Sequence, residues 1–191
     1  MPPLTLVIFS GLPGVGKSTL AGQLARDLHW PLLCIDDVAG NVPANADYHF
    51  WDEKVLVLLR LAEAQLEVDL SVIADSVFMG ADRVHAQQLA QTHKAVFRPV
   101  YCFVSDESVW ERRVAQRAEA PQNPAAATWA RIQHQGEYFH KWEPDTALFV
   151  DAMQPLEQNQ AAVREYVTGQ DIQLKALDIP AAGLKKGEYH V

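Results

Sequence analysis

The chain has 191 residues, which is the size of one globular domain. Its composition, 49% hydrophobic and 21% charged, is that of a folded protein and excludes a disordered chain. The formal net charge of -8 at pH 7 argues against a broad electrostatic grip on nucleic acid or on an anionic membrane, although it leaves room for a local basic patch.

The first apolar run is not preceded by basic residues, so residues 4–9 are interpreted as a strand and not as a signal peptide. No stretch of the sequence is long and apolar enough to span a bilayer, which predicts a cytoplasmic protein. Cys34 and Cys102 form no CxxC pair and lie in or beside apolar runs, so we expect two small buried thiols. The 7 histidines include no HExxH pattern, and no zinc site built by the protein is expected.

Strand-like and helix-like segments alternate along the chain. Strands are predicted at residues 4–9, 31–35, 71–74, 95–104 and 147–150, and helices at residues 17–28, 50–68, 82–93, 106–118, 128–140 and 156–167. The helix over residues 50–68 is apolar almost all round, so we expect it to be largely buried. The alternation predicts an α/β fold of three layers, in which helices flank a five-stranded parallel sheet and the crossovers are right-handed.

The predicted elements belong to one domain, residues 1–170. Within it, residues 119–127 are rich in Ala, Pro and Asn, which predicts a loop. Residues 171–191 are interpreted as a tail, either mobile or adding an edge strand over residues 173–179.

Residues 11–18 read Gly-Leu-Pro-Gly-Val-Gly-Lys-Ser and fit the phosphate-loop pattern G-x-x-x-x-G-K-[ST] in full. The pattern follows a predicted strand and opens a predicted helix, a context that distinguishes it from an ordinary glycine turn. Glycines let successive backbone N–H groups point into one concavity at the positive end of a helix dipole, where nucleotide phosphates bind. The predicted ATP site therefore comprises Gly11, Pro13, Gly14, Val15, Gly16, Lys17, Ser18 and Thr19, with Lys17 on the β- and γ-phosphates and Ser18 on Mg²⁺.

Two other predicted strands end in aspartate, at the sheet edge where ligands bind in open parallel sheets. Asp36 is the first residue past the second strand, so it is the candidate base for an acceptor hydroxyl; Asp37 is the alternative base, and the pair could instead cap a turn. Asp75 ends the apolar run Val-Ile-Ala-Asp, which is the minimal pattern of a Mg²⁺-holding Walker B strand. Asp75 could also orient a substrate or cap the following segment.

The predicted helix over residues 106–118 carries Arg112, Arg113 and Arg117. Arg113 and Arg117 are four apart and share one helical face, whereas Arg112 lies about 100° round the helix and is expected at the surface. Two guanidinium groups beside a loop suit a lid that neutralises charge over ATP. The alternative is a solvated basic face that pairs with nearby carboxylates, and Arg131 is a weaker candidate for a further contact.

These elements in this order resemble the group of small P-loop kinases that includes polynucleotide 5′-kinases, gluconate kinase, chloramphenicol phosphotransferase and the zeta-type toxin kinases. The matching residues are the loop 11–19, the Asp36-Asp37 pair, the strand ending at Asp75, and Arg113 with Arg117. The resemblance implies ATP and Mg²⁺ as cofactors, Lys17, Asp36, Arg113 and Arg117 as catalytic residues, Ser18 and Asp75 as the metal partners, and arginine contacts to the nucleotide. It implies transfer of phosphate to the hydroxyl of a small molecule such as a sugar acid, an antibiotic, a nucleoside or an activated sugar.

The sequence departs from the polynucleotide kinases at Ala39, where those enzymes have an arginine that grips the substrate phosphate. Together with the acidic net charge, this makes a nucleic-acid end the less favoured acceptor. A GTP-binding switch lacks support because no Asn-Lys pair occurs for an N-K-x-D motif, although residues 37–40 match D-x-x-G. An ATP-hydrolysing assembly module would need more chain for its sensor and partner elements.

An acceptor pocket is expected between the ends of the second and third strands and the long helix. Its candidate lining residues are Val38, Asn41, Tyr48, Phe50, Trp51, Phe78 and Met79, with residues 43–47 as a flexible loop at its mouth. Core packing is an equal alternative for Phe50 and Trp51. The sequence fixes neither the acceptor nor the oligomeric state.

Overall fold

The computed structural model of the chain describes residues 3–40, 48–119 and 128–169, except for the side chains of residues 48–51. Its strands are β1 Thr5–Ser10, β2 Leu32–Cys34, β3 Val72–Asp75, β4 Val96–Phe103 and β5 Leu148–Asp151. Its helices are α1 Lys17–Leu28, α2 Ile35–Ala39, α3 Tyr48–Leu66, α4 Gly80–Thr92, α5 Glu107–Glu119, α6 Trp129–Tyr138 and α7 Leu156–Thr168. The predicted alternation of strands and helices is confirmed, and the tail and most of the predicted loop over 119–127 lie outside the described residues.

The five strands form one parallel sheet in the order β2-β3-β1-β4-β5. From β1 the chain crosses to β2 on one side, whereas from β3 it crosses to β4 on the other side of β1. The carboxyl ends of β1 and β3 therefore flank the topological switch point, which is where open α/β sheets bind ligands. The predicted five-stranded parallel sheet is confirmed.

Alternate residues of β1 point into two separate cores. Leu6 and Ile8 pack with α3, α4 and the α6 region, whereas Val7 and Phe9 pack with α1 and α7. All four side chains are fully buried, as expected for a strand covered on both faces. The central strand is thus held rigidly, and the loop that follows it starts from a fixed position.

The prediction for the second strand is wrong at its end. The strand stops at Cys34, and Asp36 and Asp37 lie in the first turn of the short helix α2, which the sequence analysis missed. Carboxylates in the first turn of a helix complement the positive end of its dipole. The extended run through Ile35 concealed this change, because a five-residue helix has too few residues for a periodic pattern.

The long helix α3 is less buried than the predicted largely buried helix. Val55, Leu58, Ala62 and Leu66 are buried, but Leu56, Val57 and Leu61 are 49%, 46% and 44% exposed. The helix covers one face of the sheet, so one side of it is left outside the core. Apolar composition alone therefore overstated its burial.

The two cysteines differ in burial. Cys102 is buried as predicted, whereas Cys34 is only partly buried. Burial is the largest cause that raises the pKa of each thiol to about 12, and the nearby Asp75 charge adds to it. Both thiols are therefore in the neutral form at pH 7, which makes them poor nucleophiles.

Candidate active site

The loop between β1 and α1 has the backbone of a phosphate cradle. Gly11 and Gly14 adopt φ of 140° and 84°, in the region that favours glycine. A Cβ at Gly11 would lie 2.3 Å from the Cys102 carbonyl oxygen, and one at Gly14 would lie 2.8 Å from Val114 Cγ2. The N-cap of α1, which begins at Lys17, is Gly16, and glycine has no side chain that could occupy the first amides in place of an anion.

Lys17 is buried at the base of this loop, with 9% of its surface exposed. Its Nζ donates a hydrogen bond to the Leu12 carbonyl oxygen at 3.1 Å. Burial lowers the pKa of Lys17, and the Asp75 charge is the largest influence that opposes this shift. The ammonium group is thus desolvated and held beside the loop, where an incoming phosphate would find it.

Asp75 ends β3 beside this ammonium group and is only 3% exposed. Burial raises the pKa of Asp75, while the charge of Lys17 and a side-chain hydrogen bond with Ser18 oppose the rise. Among the described residues, its Oδ1 atom is buried with no hydrogen-bond partner. Mg²⁺ prefers oxygen ligands, and here a hydroxyl lies next to a carboxylate oxygen that has no hydrogen bond. Ser18 and Asp75 therefore fit the predicted metal site.

Asp36 lies near this group, in an ion pair with Arg117. Its Oδ2 atom lies 3.2 Å from Arg117 Nη2, and the two side chains are 64% and 42% exposed. The charges of Asp36 and Arg117 both act on the titration of Lys17 and of Asp75. The sheet edge therefore brings Lys17, Ser18, Asp75, Asp36 and Arg117 together, although their sequence positions span a hundred residues.

The three arginines of α5 have different partners. Arg113 Nη2 donates to the carbonyl oxygen of Ala152, just past β5, at 3.1 Å. Arg112 is exposed, and its Nη1 atom lies 3.4 Å from the Ser108 hydroxyl of its own helix, in agreement with its predicted surface position. Arg117 is the one that reaches the Asp36 carboxylate. Arg131 is exposed at the start of α6, and its proposed contact stays a prediction.

Among the candidate pocket residues, Phe78 is fully buried in the core and does not line an open pocket. Val38 and Met79 are partly buried beside the same core. Asn41, residues 43–47 and the side chains of Tyr48, Phe50 and Trp51 lie outside the described part of the chain.

Two tryptophans not predicted from the sequence contact the phosphate loop or the end of the strand before it. Trp110 Nε1 donates to the Pro13 carbonyl oxygen at 2.9 Å. Trp142 Nε1 donates to Ser10 Oγ at 2.9 Å, and Ser10 Oγ donates in turn to the Val77 carbonyl oxygen at 2.8 Å. Trp110 lies three residues before Arg113 on the same helical face, a signal that could have drawn attention to it.

A buried arginine was missed as well. Arg83 is 3% exposed, its Nε donates to the Phe78 carbonyl oxygen at 2.8 Å, and its guanidinium lies 4.5 Å from the ring centroid of Trp142. Its position three and seven residues before the buried Ala86 and Ala90 places it on the inward face of α4. The contact fixes the β3–α4 connection, where Phe78 adopts a φ of 50°.

The sequence profile of the AAA domain family matches residues 6–142, well over half of the chain. The chain belongs to the AAA domain family. The matched segment contains all of β1 except its first residue, the phosphate loop, Asp36, Asp75 and all three arginines of α5.

Solved structures place this AAA domain among proteins of kinase-like fold. A candidate kinase from Chloroflexus aurantiacus J-10-fl is 22% identical with a TM-score of 0.69, and the match covers 87% of this chain and 95% of that one. A gluconokinase from Sinorhizobium meliloti 1021 is 16% identical with a TM-score of 0.66, covering 87% and 94%. The APS kinase CysC of Mycobacterium tuberculosis, solved with AMPPNP and APS, is 21% identical with a TM-score of 0.62, covering 85% and 97%.

The resemblance to small P-loop kinases that the sequence predicted is thus confirmed for family and fold. Within the described ranges, no helix has the length and apolar character needed to cross a membrane.

Proposed function

We propose that the protein is an ATP-dependent phosphotransferase that moves the γ-phosphate of ATP to a hydroxyl group of a small molecule. The observation that carries this proposal is the position of Asp36, which pairs with Arg117 and lies close enough to Lys17 for its charge to act on that ammonium group. Phosphoryl transfer to a hydroxyl uses a carboxylate that takes the acceptor's proton and an arginine that neutralises charge on the transferred group. Asp36 and Arg117 can supply both beside the phosphate loop.

In the proposed reaction, the acceptor oxygen attacks the γ-phosphorus while the bond to the bridging oxygen of ADP breaks. Asp36 accepts the hydroxyl proton of the acceptor, and ADP leaves with the bridging oxygen. Lys17 moves from the Leu12 carbonyl to the phosphates, and Arg117 moves from Asp36 to the transferring group, which frees the base. When bound to Ser18 and Asp75, Mg²⁺ would supply further neutralisation of phosphate charge.

Arg113 has a different proposed role. Its bond to the Ala152 carbonyl ties α5 to the segment after β5, so it can support a nucleotide from the side of the loop. The lid function of Arg113 and Arg117 stays a prediction, because residues 120–127 lie outside the described part.

For the acceptor we propose a chemical class, which is a small molecule that carries a hydroxyl group. The structural neighbours include a gluconokinase and an APS kinase, both named for small-molecule acceptors, which supports a small hydroxyl compound. Ala39 and the net charge of -8 weigh against a nucleic-acid end. Cytoplasmic location and a single domain over residues 1–170 stay predictions.

A screen of metabolites tests the proposal by ADP formation from ATP and Mg²⁺. The pools should contain sugar acids, aminoglycosides and other hydroxylated antibiotics, nucleosides and activated sugars. We expect ADP release only in the presence of an acceptor, with a phosphorus NMR signal of a new phosphate ester, and near-complete loss of both in Lys17→Ala. ADP release that is independent of every acceptor would identify a hydrolase instead, and oligonucleotide 5′ ends as the preferred acceptor would identify a polynucleotide kinase.

A further inference from the structure

The carbonyl groups of the phosphate loop are held by two side chains of different kinds. The Leu12 carbonyl accepts from Lys17 Nζ at 3.1 Å, and the Pro13 carbonyl accepts from Trp110 Nε1 at 2.9 Å. For the loop amides to face the phosphates, these carbonyls must point away, because a carbonyl oxygen directed at a phosphate oxygen repels it. In the proposed complex Lys17 binds the nucleotide phosphates, whereas the indole N–H of Trp110 serves to bind the Pro13 carbonyl.

The helix that carries Trp110 packs directly on the loop. A Cβ at Gly14 would lie 2.8 Å from Val114 Cγ2 and 3.3 Å from Trp110 Nε1. Val114 follows Trp110 by four positions, so both side chains lie on one face of α5. Glycine at position 14 is thus the residue that leaves room for this face.

The same indole also joins α5 to α6. The rings of Trp110 and Trp129 meet edge to face, with centroids 5.0 Å apart and an interplanar angle of 86°. Trp129 is the first residue of α6. Arg113 and Arg117 lie three and seven positions after Trp110, so the position of this indole determines where both guanidinium groups lie.

We propose that Trp110 is a positioning residue for nucleotide binding. It holds the Pro13 carbonyl away from the phosphates, and it fixes helix α5, which carries Arg113 and Arg117, against the phosphate loop. This inference rests on the proposed function, since it assumes that the loop binds ATP. It goes beyond that function because it assigns nucleotide affinity to a side chain outside the phosphate-loop pattern. We expect this hydrogen bond to persist when nucleotide binds, whereas Lys17 should leave the Leu12 carbonyl for the phosphates.

Trp110→Phe tests the inference, because phenylalanine keeps a ring against Gly14 and Trp129 and removes the N–H donor. Trp30→Phe is the matched control, since Trp30 is a partly buried tryptophan beside the core formed by α1 and α7. We expect Trp110→Phe to raise the Kd for ADP with Mg²⁺, measured by calorimetry, and the KM for ATP by about five- to tenfold. The KM for the acceptor and the Kd of Trp30→Phe should stay within about twofold of wild type.

Four outcomes decide the matter. An unchanged Kd for ADP in a folded Trp110→Phe protein would overturn the role of Trp110 while leaving the proposed function intact. A fall in kcat and a rise in both KM values alongside a lower Tm would show a general structural role and would also overturn it. Wild-type protein that binds no ADP would overturn the proposed function together with this inference.

The fourth outcome tests the Trp110 N–H group directly. In wild-type protein, the Nε1 proton of Trp110, observed by NMR, should be protected from solvent exchange with and without ADP. Exchange at the rate of an exposed indole, with or without ADP, would contradict the proposal even if Trp110→Phe did not fold.

Discussion

Arg117 Nη2 lies 3.2 Å from Asp36 Oδ2, although the two residues are 81 positions apart in the chain. The contact joins helix α5 to helix α2. Both side chains are well exposed, and ion pairs of this kind contribute only about 0–1 kcal/mol. A bound phosphate group can therefore draw Arg117 away from the carboxylate at little cost, which leaves Asp36 available to an acceptor hydroxyl.

Arg117→Ala should slow phosphate transfer by roughly 10²–10³, because it removes a donor to charge that develops in the transition state. The KM for the acceptor and the Tm should change little, since the pair with Asp36 is exposed. Arg112→Ala is the matched control, since Arg112 contacts Ser108 of its own helix. Steady-state kinetics check the prediction, and a change confined to acceptor KM would remove Arg117 from the proposed role.

Asp36→Asn should lower kcat by roughly 10²–10⁴, because the amide cannot take the acceptor proton. ADP binding by calorimetry should be nearly the same as in wild type. Asp37→Asn is the neighbouring control in the same first turn of α2, and we expect it to be active. If Asp37→Asn is inactive while Asp36→Asn turns over normally, the base is Asp37.

Two glycine substitutions should have opposite effects on stability. In Gly11→Ala the new Cβ would lie 2.3 Å from a backbone oxygen of β4 at a φ of 140°, so we expect a loss of at least about 2 kcal/mol in the free energy of unfolding. In Gly22→Ala, inside α1, the nearest atom is the flexible end of Arg26 at 3.6 Å, and alanine should stabilise the protein by about 0.5–1 kcal/mol. Urea denaturation followed by circular dichroism measures both. Equal effects of the two changes would contradict the tight approach of Gly11 to Cys102.

Asp82 should make the protein less stable as pH rises. Burial is the main cause that raises the pKa of Asp82 from 3.8 to about 7 in the folded protein. Between these two values the unfolded chain has released the proton that the folded protein still holds, so the free energy of unfolding falls with rising pH and levels off above about pH 7.

Asp82→Asn removes this titration and keeps an oxygen that can accept from the Met79 N–H. The free energy of unfolding of the variant, taken relative to that of wild type, should increase from pH 5 to pH 8, as measured by urea denaturation at both values. Asp27→Asn, at an exposed position of α1, is the control and should follow the wild-type profile. A constant difference between Asp82→Asn and wild type across this range would exclude the raised pKa.

The parts of the site that sequence predicted are those built from local chain. The phosphate loop opens α1 at Lys17 as expected, because the glycines and the helix start are set by neighbouring residues. Asp75 ends β3 for a similar reason, since an apolar run that meets a carboxylate marks the strand end directly. The parallel sheet followed from the alternation of elements.

The parts that sequence did not predict depend on contacts between distant segments. The bond from Trp110 to Pro13 spans 97 positions, and that from Trp142 to Ser10 spans 132, so no local pattern encodes either. The exposure of Leu56 and Leu61 likewise depends on which side of α3 meets the sheet. Helix α2 is too short to show periodicity.

Strand β1 lies at the centre of the sheet and is made before both of its neighbours. During synthesis its buried residues Val7 and Ile8 leave the ribosome well before their partners, which are Ile73 and Ala74 in β3 and Arg98 and Pro99 in β4. At typical elongation rates this interval is on the order of seconds, during which an apolar segment stays unpaired. The phosphate loop can therefore reach its final geometry only after β4 has been made, and nucleotide binding by a nascent chain would report that the centre of the sheet has assembled.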